Sequence, residues 1–180
     1  MTMKLEHFIS VDIEAAGPIP GEYSMLSLGA CLVDDVSRSF HIEFQPINLN
    51  AEPNALKVTG ISLEELQVRG IAPAVAMQRF QDWITETVES EDVPVFVGFN
   101  APFDWSFVNY YFHRFLGHNP FGFAALDIKA FYMGRYGTHW LDTKSSKIAA
   151  ALEVAEEGDH NALHDAIYQA RLFSVMRSRI

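Results

Sequence analysis

The order of its apolar segments constrains this chain more than any other feature. Three short runs come first with only turns or loops between them: residues 8–11, 24–33 and 40–44, the last alternating as a half-buried strand does. The stretch from Asp34 to Ser39 is polar and reads as a turn. From Pro53 the pattern changes. Residues 53–58 predict a short helix, and Ser62-Leu63-Glu64-Glu65 has the form of a capping box. Met77, Phe80, Ile84 and Val88 then form one stripe of a helix that opens at Pro73. Residues 93–99 are too few for a helix and predict a buried strand, and 102–116 predict the next helix. A fifth short strand is expected at 123–128, an ordered surface loop at 134–140, and closing helices at 144–152 and 163–176. Strands joined by short turns pair antiparallel, whereas strands reached through helical crossovers run parallel. The expected fold is α/β, a mixed five-stranded sheet (three antiparallel strands, then two parallel) flanked by helices.

At 180 residues, one domain spanning 1–180 with a substantial core is expected. No run of about 18 apolar residues occurs and residues 1–7 lack a signal-peptide core, so no membrane association is expected. A single cysteine, Cys31, excludes an intramolecular disulfide and a cysteine-based zinc cluster. These features predict a cytoplasmic protein. The net charge of -10 argues against a broad basic surface, but not against an enzyme that grips only a strand end.

Asp12 and Glu14 follow the first apolar run. Two residues apart on a strand, they project from one face, with Val11 and Ile13 on the other. Paired carboxylates suit a hard cation such as Mg²⁺ or Mn²⁺, although a strand ending in solvent has the same pattern. Asp104 falls on the apolar stripe of its helix, where an unpaired carboxylate is costly. A helix-start acid favoured by the macrodipole is the alternative reading. His160 and Asp165 are five apart, about 140° around a helix, so they converge only if His160 precedes the helix and Asp165 lies in its opening turns. His164 competes for the histidine role and is expected to pack or face solvent. Asp34-Asp35 reads as a solvated turn.

Taken together, Asp12-Ile13-Glu14, Asn100-Ala101-Pro102-Phe103-Asp104 and His160-Asn161-Ala162-Leu163-His164-Asp165-Ala166 resemble the three motifs of the DnaQ-like DEDDh 3′–5′ exonucleases. Thr59-Gly60-Ile61 adds to the likeness between the first two motifs. The resemblance implies a ribonuclease H-like fold and hydrolysis of phosphodiester bonds at single-stranded DNA or RNA 3′ ends, releasing nucleoside 5′-monophosphates. It also implies two divalent cations, Mg²⁺ or Mn²⁺, that clamp the attacking and leaving oxygens. On that pattern Asp12 bridges both ions, Glu14 and Asp165 complete the site of the attacking water, and Asp104 serves the second ion. His160 takes the water's proton, a role suited to imidazole because it titrates near neutral pH.

The residues beside the acids are candidates for holding the terminal nucleotide. Ala15, Ala16 and Gly17 have small side chains that let main-chain groups approach the sugar. Phe103 and Trp105 can stack on a base or pack in the core, with stacking favoured for Phe103. Asn100 either bonds the substrate or fixes its loop. Ala15, where many family members carry Thr, and Trp105, directly after Asp104, depart from the family pattern and bear on substrate preference. The resemblance leaves a homodimer open, since some members lend basic residues across an interface. Two other functions compete: an inactive binding domain, against which the five intact residues argue, and a hydrolase of dinucleotides or other small phosphodiesters.

Overall fold

The structure, a computed structural model, describes residues 4–155 and 158–178. Five strands, β1 (Glu6–Ala15), β2 (Met25–Leu32), β3 (Asp35–Glu43), β4 (Val93–Gly98) and β5 (Ala125–Asp127), form one sheet in the order β3-β2-β1-β4-β5. The first three pair antiparallel, and β4 and β5 join parallel. This is the expected α/β sheet, with β1 at its centre. The helices are α1 (Pro53–Thr59), α2 (Leu63–Arg69), α3 (Pro73–Thr87), α4 (Pro102–Leu116), α5 (Ile128–Tyr136), α6 (Ser145–Leu152) and α7 (Ala162–Ser178).

The period-two pattern of β1 divides the core. Ile9, Val11 and Ile13 pack on one face with Met77, Phe80 and Ile84 of α3 and Phe107, Val108 and Phe112 of α4. On the other face α7 lies across β1 and β2, with α5 and α6 beside it around Val97, Ile148 and Phe173. Asp12 and Glu14 point toward this second face. Gly29, paired with Asp12 in the ladder, lets α7 come close: a Cβ there would lie 2.3 Å from the backbone of Ala162. The start of α7 is thereby pressed onto the strand that carries the first two acids.

Three expectations change. The third strand begins at Asp35, not Phe40, so the turn is shorter than the polar stretch suggested. As an edge strand, β3 tolerates the polar residues Asp35 to Ser39. The stretch 134–140 is not a loop throughout. Helix α5 runs to Tyr136, capped by the Asp127 side chain on the Ala130 N–H and by Gly137 at φ 63°, and a 3₁₀ turn follows at Trp140–Asp142. The fifth strand is accordingly reduced to Ala125–Asp127. The Ser62 cap holds as expected, its hydroxyl accepting from the Glu65 N–H at 3.2 Å.

Candidate active site

The carboxyl ends of β1 and β4 meet the beginnings of α4 and α7. Parallel pairing of β1 with β4 covers Glu6 to Ser10 only, so Ile13 lies beyond it. The Ile13 N–H instead donates to Asp104 Oδ1 at 3.1 Å. That bond brings the first turn of α4 over the end of the sheet. Asp104 is 4% exposed, a carboxylate inside the core as its place on the apolar stripe implied.

On the α7 side, His160 precedes the helix at φ 60° and Asp165 lies in its first turn. Asp165 accepts the N–H groups of Asp159 and His160, both at 3.1 Å, so the acid clasps the loop that carries the histidine. Oxygens of Glu14 and Asp165 and a ring nitrogen of His160 all lie within 4.8 Å of one another. His164 turns outward to Asp159, with Nδ1 2.9 Å from Oδ2, and is left out of the cluster.

The carboxyls strain against one another. Burial first, then Asp104, Asp165 and Glu14, hold Asp12 well above the ordinary carboxylate range. Burial and then Asp165 push Glu14 up to about 7. Burial chiefly pushes Asp104 up to about 8, with Glu14 and Asp127 adding and the Ile13 N–H opposing. Asp165 is also raised, again mainly by burial. Hard oxygen donors that cannot all ionise without a counter-charge fit a divalent cation.

Two residues at this site had no motif to announce them. The Gln169 amide donates to Asp12 Oδ1 at 2.5 Å, while its carbonyl oxygen accepts the Phe99 N–H at 2.9 Å. The signal available was its position four residues after Asp165, on the same helical face. Asp127 accepts the Ala101 N–H at 3.0 Å and so fixes the turn before α4.

The candidate nucleotide contacts separate. Phe103 is exposed, its ring 5.4 Å from Phe107, and Asn100 is exposed at φ 63°. The Trp105 ring is half-buried, edge-on to Phe96 at 5.2 Å against the α3–α4 cluster, which favours packing over stacking for it. Ala15 and Ala16 are buried, and both main-chain groups of Ala16 are taken, by Ser24 and Glu52. At Gly17, a Cβ would meet the Tyr23 ring at 2.4 Å, so the absent side chain serves that packing.

Residues 9–173 match the exonuclease family model RNase_T. The 3′-5′ DNA exonuclease Cap18 of Escherichia coli is 53% identical over 171 residues, 95% of this chain and 91% of that protein. The chain is a DnaQ-like DEDDh 3′–5′ exonuclease. Solved structures bear out the exonuclease's ribonuclease H-like fold. The nuclease domain of 3′hExo, a DEDDh family member bound to rAMP, superposes with a TM-score of 0.79 at 16% identity, covering 96% of this chain and 92% of that one. E. coli ExoI in its ssDNA complex gives 0.76 at 18% identity, covering 98% of this chain and 41% of that one. Divalent-metal dependence comes with membership of the family.

Proposed function

We propose that this exonuclease removes nucleotides from single-stranded 3′ ends, DNA in preference to RNA, at the site formed by Asp12, Glu14, Asp104, His160 and Asp165. The observation that carries the reading is the convergence of four acids from three distant segments on the end of β1, where burial and mutual repulsion favour a bound counter-charge when the acids ionise. The 53% identity to a DNA exonuclease supports the choice of DNA. Asp12, Glu14, Asp104 and Asp165 would hold two Mg²⁺ or Mn²⁺ ions, which when bound supply charge neutralisation at the phosphoryl oxygens. The imidazole nitrogen of His160, beside Glu14 and Asp165, takes the proton of the attacking water. Asp165 holds the His160 backbone in place for that transfer. Phe103 offers an exposed ring to the terminal base, and Asn100 shapes the turn beside it. Digestion of 5′-labelled DNA and RNA single strands tests the reading. Ladders shortening from the 3′ end, faster for DNA and abolished by chelator, are expected; internal cuts or chelator-resistant cleavage would contradict it.

Metal and pH should be linked through the raised acids. A carboxyl whose folded-state pKa is raised stabilises the fold below its ordinary pKa, and that contribution is lost as pH climbs through the folded value. For Glu14 and Asp104 the loss extends through about 7 and about 8. Metal-free protein should therefore melt at progressively lower temperature from pH 5 to pH 8.5. Saturating Mg²⁺ should raise Tm by several degrees at pH 8 and little at pH 5, as binding to the folded state requires. A melting curve indifferent to Mg²⁺ at pH 8 would count against the site.

Gln169 contributes the amide that steadies Asp12. Replacing such an outer partner typically costs about 10–100-fold in metal affinity or activity. Gln169→Leu should accordingly raise the Mg²⁺ concentration for half-maximal rate at least about 10-fold. An unchanged Mg²⁺ activation curve would show that the hydrogen bond is incidental.

A further inference from the structure

A basic surface adjoins the catalytic cleft at Ser145. Beyond Asp12, on the α7 face, lies a cavity of about 300 Å³ lined by Phe99, Ser145, His160, Asp165, Tyr168 and Gln169. Ser145 opens α6, and the segment around it, residues 128–147, holds Lys129, Arg135, Lys144 and Lys147 against a single acid, Asp142, which pairs with Lys147. This is a basic run in a chain of net charge -10. It is also rich in exposed apolar surface: Trp140 is 49% and Leu141 77% exposed. The Lys129 ammonium sits 4.4 Å from the centre of the Trp140 ring, and Lys144 is exposed next to Ser145. The chain that follows β1 is acidic instead: Glu22 precedes Tyr23, whose hydroxyl donates to Glu52, and the Glu52 N–H donates to the Ala16 carbonyl. Arg177 does not extend the basic flank. It lies twelve residues beyond Asp165, about 18 Å along α7, and pairs with Asp34.

A single strand longer than its terminal nucleotide must leave the cleft on one side. Phosphates are attracted by the cations around Ser145 and repelled by acids such as Glu22 and Glu52. Aromatic rings interleaved with cations form a surface that binds single strands without reading sequence. We infer that Lys129, Trp140 and Lys144 form a track for the part of the single strand lying 5′ of the scissile bond, with Trp140 stacking on a base and the two lysines facing phosphates. The inference rests on the exonuclease reading and adds the place where chain length is sensed. A dinucleotide has a single nucleoside and no further phosphodiester 5′ of its scissile bond, so it is too short to reach the track.

The test compares a dinucleotide with a single-stranded oligomer of about 12 nucleotides. Steady-state cleavage is measured alongside oligomer binding by fluorescence anisotropy, with Ca²⁺ replacing Mg²⁺. Lys129→Ala/Lys144→Ala and Trp140→Ala should each raise KM for the oligomer about 10-fold with kcat nearly unchanged. Dinucleotide cleavage should stay within about twofold of wild type. The double lysine variant should lower the salt slope of oligomer binding by about 1.4, about 0.7 for each phosphate that is no longer neutralised. Lys129→Arg/Lys144→Arg should bind as wild type does, which separates charge from folding. Equal losses on both substrates, or none on the oligomer, would overturn the track. So would a change of oligomeric state on sedimentation that accounts for the loss, since the face would then join two copies. If wild-type protein degrades no oligomer, the exonuclease reading fails, while the anisotropy measurements still decide the track.

Discussion

Asp104→Asn is expected to lower turnover by at least about 10³-fold while leaving the metal-free protein as stable as wild type or more so. The two effects should have opposite signs because the carboxylate is in the wrong place for folding alone. It is buried in the first turn of the helix that also buries Phe107, Val108 and Phe112, and its pKa is pushed up to about 8. An asparagine oxygen can still accept the Ile13 N–H, so the α4–β1 junction should survive. At pH 8.5, where the acid must ionise in the core, the amide removes that cost, and metal-free Tm should rise. A purely structural acid would give the reverse: retained activity and reduced Tm. Near wild-type turnover in the variant would remove Asp104 from the catalytic set.

His160→Ala should cost about 10²–10⁴-fold in rate with little change in the Mg²⁺ dependence. The same change at His164 should cost little, because that ring is exposed and bonds the exposed Asp159. The close approach of His160 to Glu14 and Asp165 makes the metal readout decisive. If Mg²⁺ affinity falls in step with rate, His160 is a ligand rather than a base. If His164→Ala proves the more damaging, the histidine assignment itself is wrong.

The parts of the site legible in the sequence are those governed by local periodicity. Alternation along β1 puts Ile9, Val11 and Ile13 on the core face and Asp12 and Glu14 opposite. Helical geometry requires His160 to precede the helix that carries Asp165, and it does. What the sequence hid depends on partners distant along the chain. Gln169 and Asp12 are separated by 157 residues, and neither position alone announces the bond. Asp127 has the pattern of a strand end, yet it caps α5 and holds the turn before α4. Helix α5 has a weak signal because it is nine residues long and contains Gly134. Trp105 could stack or pack by composition alone, and its edge-on contact with Phe96 favours packing.

Manganese diffraction tests the central claim most directly. Crystals grown with Mn²⁺ and a nucleoside 5′-monophosphate should show two anomalous peaks, both contacted by Asp12, with Glu14 and Asp165 at one and Asp104 near the other. No peak between those oxygens, at a Mn²⁺ concentration that sustains cleavage in solution, would contradict the account.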